Sequence, residues 1–135
     1  MTSTDLRRIG LAIVVLHAVV NLVHGAAHSA LLIHMSTWQN VYIFVVIFAL
    51  PIVAGVLLWR RSRNGFLLLL LLMLGSLLFG GYYHFILPGP DHVGHLTDHA
   101  WTIPFQVSAV LLALIEAAGV VVGWMGWSSQ DSNNQ

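Results

Sequence analysis

Residues 66–87 read FLLLLLLMLGSLLFGGYYHFIL, a run without Asp, Glu, Lys or Arg. A helix needs about 20 mostly apolar residues to cross the hydrocarbon core of a bilayer, and this run is long enough. Three similar runs occur in the chain, so we expect membrane-spanning helices over about 9–34, 40–59, 66–87 and 104–127. The sequence therefore predicts an all-α integral membrane protein with four spans.

The composition agrees with this interpretation. Of 135 residues, 58% are hydrophobic and only 7% are charged, whereas a soluble domain carries about 25% charged residues. Short connections make sequential helices antiparallel, so we expect a single domain over 1–135, built as an up-down-up-down bundle. A short helix or loop precedes the fourth helix, and the polar tail 128–135 is expected to be disordered.

Several function classes are excluded by residues that the chain lacks. The formal net charge is zero, which gives no reason to expect a nucleic-acid partner. All five basic residues are arginines, and without lysine no retinal-type Schiff base can form. Without cysteine there is no disulfide, no thiolate ligand and no thioether attachment of haem.

The positions of the arginines predict the orientation. Arg7 and Arg8 precede the first span, and Arg60, Arg61 and Arg63 join the second span to the third. Cytoplasmic loops carry the excess of arginine and lysine, so we expect a multi-pass protein of the plasma (inner) membrane with both termini cytoplasmic. The connection DHVGHLTDH, residues 91–99, is then extracytoplasmic.

The polar residues of the first span share one face. At 100° per residue His17, Asn21, His24 and His28 fall within an arc of about 60°. Ionisable residues at membrane depth usually face the bundle interior and have a partner. His24 and His28 form an i, i+4 pair, a spacing that brings two imidazoles within reach of one metal ion.

Glu116, the acid within the fourth span, is the expected partner of this face. Gly119 and Gly123 follow it at i+3 and i+7, and such small residues allow close helix contact, so the carboxyl group should point inward. With a rise of about 1.5 Å per residue, Glu116 lies level with Asn21 and about one turn from His17. We expect a buried hydrogen bond from His17 or Asn21 to Glu116, serving as a structural pair or as a proton relay.

A histidine cluster is predicted in the outer half of the bundle. On the same helical rise, His28 and His84 lie about 10 and 11 Å from the midplane. Asp91 is a good N-cap residue, so a short helix could follow it and place three loop histidines on one face, with Asp98 as a ligand or as an acceptor that orients one. The candidate metal ligands are His24, His28, His84, His92, His95, His99 and Asp98.

Imidazole without thiolate suits iron, copper or zinc. The leading hypothesis is a membrane metalloprotein, with oxidation of a lipid-soluble substrate or quinone as one function. A b-type cytochrome is the second, with His28 and His84 as axial haem ligands beside Gly80 and Gly81. A proton or metal transporter is the third, and an accessory subunit of a larger membrane complex is the fourth. Homo-oligomerisation is compatible with each of them.

Overall fold

The computed structural model describes residues 2–129, and within them all regular structure is helical. Four long helices are present: α1 (Ser3–Ala30), α2 (Thr37–Trp59), α3 (Asn64–Ile86) and α4 (Thr102–Ser128). All four are long and apolar enough to cross a membrane, which confirms the predicted all-helical fold and its four apolar helices. The polar tail was predicted to be disordered over 128–135, but Ser128 is the last residue of α4 and Ser129 caps it. Residues 130–135 lie outside the described part of the chain.

The ends of α1 differ from the predicted ends. The helix begins at Ser3 because Thr2 and Asp5 form a reciprocal capping box, in which each side chain bonds the other residue's backbone N–H. It ends at Ala30, although the apolar run continues to Ile33, because Leu32 takes a left-handed φ of 53° that stops the helix. Hydropathy alone marks neither of these local events.

Helix α4 packs against both α1 and α3, and α2 packs on α3. Contacts between α1 and α4 pair Gly10 with Val122, His17 with Glu116 and His24 with Ser108. The residue numbers on α4 thus decrease as those on α1 increase. Half-way along this contact line the packing changes from apolar to polar.

We call the two ends of the molecule the arginine end and the histidine end. The arginine end holds the apolar core, which is formed by side chains from all four helices: Leu6, Ile13, Leu58, Phe66, Leu69, Met73 and Val122. Gly123 brings α4 close to α3 here, since a Cβ atom at that position would lie 2.7 Å from the backbone N of Leu70. The small residues predicted beside Glu116 therefore do permit close helix contact.

The exterior is apolar as well. Val15, Leu22, Phe44, Leu78 and Leu114, which come from four different helices, are each more than half exposed. A water-soluble protein seldom exposes so much continuous apolar surface. The surface is the one expected of helices in contact with lipid.

Two segments of π-helix interrupt the α-helices. Residues Ile43–Ala49 of α2 are π-helical, and the N–H of Leu50 donates to the carbonyl of Val45, five residues earlier. Pro51 follows directly and lacks the N–H that an α-helix would direct to Ile47, so the wider turn absorbs the disturbance. The second π segment, Tyr82–Ile86, ends α3 and carries His84.

Candidate metal centre

Three imidazoles meet at the histidine end. His24 and His28 come from successive turns of α1, and His84 comes from the π-helical end of α3. The His24 ring centroid lies 4.8 Å from that of His28 and 4.8 Å from that of His84. One ring nitrogen of each lies within 4.8 Å of the other two, and such a group could hold a metal ion. We call these three residues the histidine triad.

Hydrogen-bond acceptors fix the orientation of two triad rings. His24 Nδ1 lies 2.8 Å from Ser108 Oγ. Ser108 Oγ lies 2.7 Å from the carbonyl oxygen of Pro104 and 3.0 Å from that of Phe105, and both oxygens can only accept hydrogen bonds. Because the single hydroxyl proton of Ser108 is used there, His24 Nδ1 donates to Ser108 Oγ. His84 Nδ1 likewise donates to the carbonyl of Asp91 at 3.1 Å. In the neutral form of each ring, Nε2 is therefore a bare acceptor.

These two bare acceptors face each other. His24 Nε2 and His84 Nε2 are 3.2 Å apart. Two lone pairs at that distance repel each other unless a proton or a metal ion lies between them. Two imidazole nitrogens bound tetrahedrally to one zinc ion at about 2.0–2.1 Å would be about 3.3 Å apart, close to the observed separation.

Asp91 supplies negative charge beside the triad. Its Oδ1 lies 3.2 Å from His28 Nε2 and 3.1 Å from His84 Nδ1. Neither carboxylate oxygen has a partner in hydrogen-bonding geometry among the described residues, and His28 Nδ1 also lacks one. A buried carboxylate is unfavourable without a compensating positive charge. The carboxylate can therefore balance the charge of a protonated imidazole or of a metal ion held by the triad.

The triad is largely buried. His24 and His84 are only 6% and 7% exposed. The fully buried ring of Phe105 packs on all three imidazoles, with centroid distances of 4.7, 5.0 and 5.5 Å to His24, His28 and His84. This packing holds the rings in place, which reduces the entropy that binding an ion would cost.

A second polar contact lies nearer the middle of the bundle. His17 Nε2 is 3.1 Å from Glu116 Oε1, and both side chains are at least 95% buried. The expected contact between α1 and Glu116 is thus present, and His17 makes it. Asn21 instead donates to the backbone carbonyl of His17 at 2.9 Å. Whether the pair relays protons stays a prediction.

The loop before α4 differs from the short helix considered above. Residues 88–101 form turns, because Val93 uses its N–H to bond the carbonyl of His84 and its carbonyl to accept from Gln106 Nε2. Neither group is then free for a helical ladder. Asp91, expected to cap that helix, instead turns its carboxylate toward the triad. The loop is closed onto α3 and α4.

The loop histidines do not join the triad in this arrangement. The His92 and His95 rings stack on each other, with centroids 4.4 Å apart. His99 Nδ1 accepts from the N–H of Trp101. Within residues 2–129 the only candidate metal group of three or more side chains is the triad, and it includes neither Asp98 nor a loop histidine. Their predicted role as ligands stays untested.

Sequence reasoning missed Asp91 as a charge partner and did not select Ser108 or Phe105. Asp91 could have been selected from the sequence, since it follows His84 by only one tight loop and is among the few acids of the chain. Ser108 lies two helical turns before Glu116, on the side of α4 that faces α1. Phe105 carried no signal, because an aromatic residue near a span end is ordinary.

No protein-family model, curated protein or solved structure matches the chain. The class of protein therefore follows from the fold and the site alone. It is an all-helical protein with four helices apolar and long enough to span a membrane, and it contains a buried histidine cluster that could hold a metal ion.

Proposed function

We propose that the chain is an integral membrane metalloprotein that binds one transition-metal ion at the histidine triad. The single observation that carries the proposal is the 3.2 Å approach of His24 Nε2 to His84 Nε2, with each Nδ1 atom beside an acceptor oxygen. Ligating histidines typically donate their other N–H to a carbonyl or carboxylate in this way. His28 would complete the triad, and Asp91 would balance the charge.

The proposed metal is zinc, copper or iron, since three imidazoles and one carboxylate suit these ions. Copper or iron would allow a redox reaction on a lipid-soluble substrate. Zinc has no redox chemistry and would restrict the site to Lewis-acid or structural roles. Identifying the bound metal therefore separates the oxidoreductase hypothesis from its alternatives.

The alternative of a b-type haem requires a flat macrocycle between the axial imidazoles of His28 and His84. Their ring centroids are 5.8 Å apart, and the rings of His24 and Phe105 pack within 5.5 Å of both. This arrangement favours a compact ion site over haem. The transporter alternative requires a polar path through the bundle, whereas buried apolar side chains fill the arginine end.

The test is the metal content and absorption spectrum of the purified protein. We expect one equivalent of zinc, copper or iron and no Soret band. The double variant His24→Ala/His84→Ala should lose the metal, whereas His34→Ala, which removes an exposed histidine outside the triad, should retain it. A Soret band would contradict the proposal, and so would a metal-free protein whose melting temperature no added metal raises.

We also propose that the helices form an up-down-up-down bundle in the plasma membrane, with the arginine end cytoplasmic. The chain has no cysteine, so single cysteines report sidedness without background. With a membrane-impermeant thiol reagent on intact cells, we expect labelling of Gly89→Cys in the histidine-end loop. Ser62→Cys, in the connection between α2 and α3 at the arginine end, should react only after permeabilisation. The reverse pattern would overturn the orientation.

A further inference from the structure

A cavity of about 510 Å³ lies beside the triad, between all four helices. Its volume falls within the range of about 300–1,000 Å³ that is usual for small-molecule sites. One wall is polar and contains the triad, Asn21 and Glu116. Apolar side chains also line the cavity and form what we call the apolar wall: Ile43, Ile47, Phe48, Phe79 and Leu112. A ligand that fills it must have an apolar body and a polar head.

The packing of α1 and α2 leaves room for an opening of the cavity between these helices. Helix α1 packs on the Leu50–Trp59 half of α2, whereas the π-helical segment Ile43–Ala49 packs on α3. The α1 side of the gap is a helical stripe of exposed residues at i, i+3, i+4 and i+7: Leu22, Gly25, Ala26 and Ser29. At its middle, a Cβ atom added to Gly25 would meet no atom within 4 Å. Small side chains thus leave the gap open toward the surrounding lipid.

The charges of the lining select the head group. No arginine lines the cavity, and the chain has no lysine. The lining therefore offers a fatty-acid carboxylate or a phosphate no arginine or lysine side chain to pair with. The histidines and Asn21 offer hydrogen bonds to a neutral carbonyl or hydroxyl group. The chemistry favours a neutral head over an anionic one.

We infer that this cavity binds a neutral, lipid-soluble molecule with a hydrogen-bonding head, the chemical class of the quinones. The molecule passes between α1 and α2 from the bilayer and places its head beside the triad, with its tail against the apolar wall. The inference rests on the proposed function for the membrane setting and for the ion that the head would approach. It adds the class of substrate and its route.

The experiment uses the full-length protein in phosphatidylcholine nanodiscs and a photoreactive alkyl benzoquinone, with the labelled residues located by mass spectrometry. We expect labelling on α1 residues 21–29 and α2 residues 43–48. An unlabelled alkyl quinone should displace the probe, and a fatty acid of equal chain length should not. Labelling spread evenly over lipid-facing residues, or equal displacement by the fatty acid, would overturn the inference.

Two matched variants introduce a phenylalanine side chain either inside the gap between α1 and α2 or outside it. Gly25→Phe should weaken probe binding about tenfold or more, and Val23→Phe, on the exposed side of the same helix turn, should leave it near wild type. Gly81→Leu, which fills the cavity from α3 at another open position, provides a second obstruction should Gly25→Phe fold poorly. Wild-type binding in both obstructed variants would overturn the inference.

Metal content is measured in the same samples. A metal-loaded wild-type protein that does not bind the quinone would overturn this inference and leave the proposed function standing. A protein that binds the quinone at the gap but takes up no metal would overturn the proposed function alone.

Discussion

Replacing Ser108 by alanine should weaken metal binding without removing a ligand. Ser108 Oγ accepts the Nδ1 proton of His24 at 2.8 Å, which leaves Nε2 free for the ion. In Ser108→Ala the metal-free protein can move this proton to Nε2 and donate it to His84. The metal-bound protein cannot, because Nε2 is then occupied, and its buried Nδ1–H loses the Ser108 hydroxyl as its acceptor. The lost hydrogen bond therefore destabilises the metal-bound protein and weakens metal binding.

The magnitude follows from that buried donor. A buried hydrogen-bonding group without its partner costs about 1–3 kcal/mol. Residues that orient ligating imidazoles typically contribute about ten- to hundredfold in metal affinity, which is the same range. We expect the dissociation constant of Ser108→Ala to rise by about ten- to hundredfold.

The assay is a competition titration of zinc between the protein and a chelator of known affinity. Ser128→Ala is the matched control, because Ser128 Oγ makes the same bond to a carbonyl one turn earlier on α4 but touches no histidine. Ser108→Thr retains the hydroxyl and should bind nearly as tightly as wild type. An unchanged affinity in Ser108→Ala, or an equal loss in Ser128→Ala, would refute the role given to Ser108.

Three further predictions concern charge, ligand choice and packing. Asp91→Asn removes the negative charge beside the triad and should weaken zinc binding about tenfold; an unchanged dissociation constant in the chelator competition would contradict this. His95→Ala should leave the dissociation constant for zinc unchanged. A loss of zinc affinity as large as that of a triad variant would show that the loop supplies a ligand. Gly123→Ala should lower the free energy of unfolding by about 1–3 kcal/mol, because its Cβ would lie 2.7 Å from the Leu70 backbone. Gly81→Ala should leave the free energy of unfolding unchanged, because its Cβ would lie in open space. Equal denaturation curves for Gly123→Ala and Gly81→Ala would contradict the packing argument.

The number and type of the main elements were readable from hydropathy, because a run such as 66–87 is long, continuous and uncharged. The shared face of His17, Asn21, His24 and His28 was predictable too, because helical periodicity places residues at i, i+4, i+7 and i+11 together. The depth estimate for His28 and His84 rested on the fixed helical rise, and the two residues are indeed neighbours. Each of these inferences uses only local geometry.

The conformation of the loop was not readable. The spacing of His92, His95 and His99 permitted a helix, but the backbone of Val93 pairs with α3 and α4 instead. The π-helical turn at His84 was equally hidden, since its five-residue hydrogen bonds depend on what packs around the end of α3. Long-range contacts determine both features.

Length, hydropathy and helical periodicity are properties of each segment alone, and they are sufficient to predict four apolar helices and the histidine face of α1. The tertiary fold brings three of the eight histidines together. It also placed Asp91 and Ser108 around them and directed two Nε2 atoms at each other. The physical reason is that ligand geometry depends on how α1, α3, α4 and a folded loop dock, and docking is a property of the whole chain.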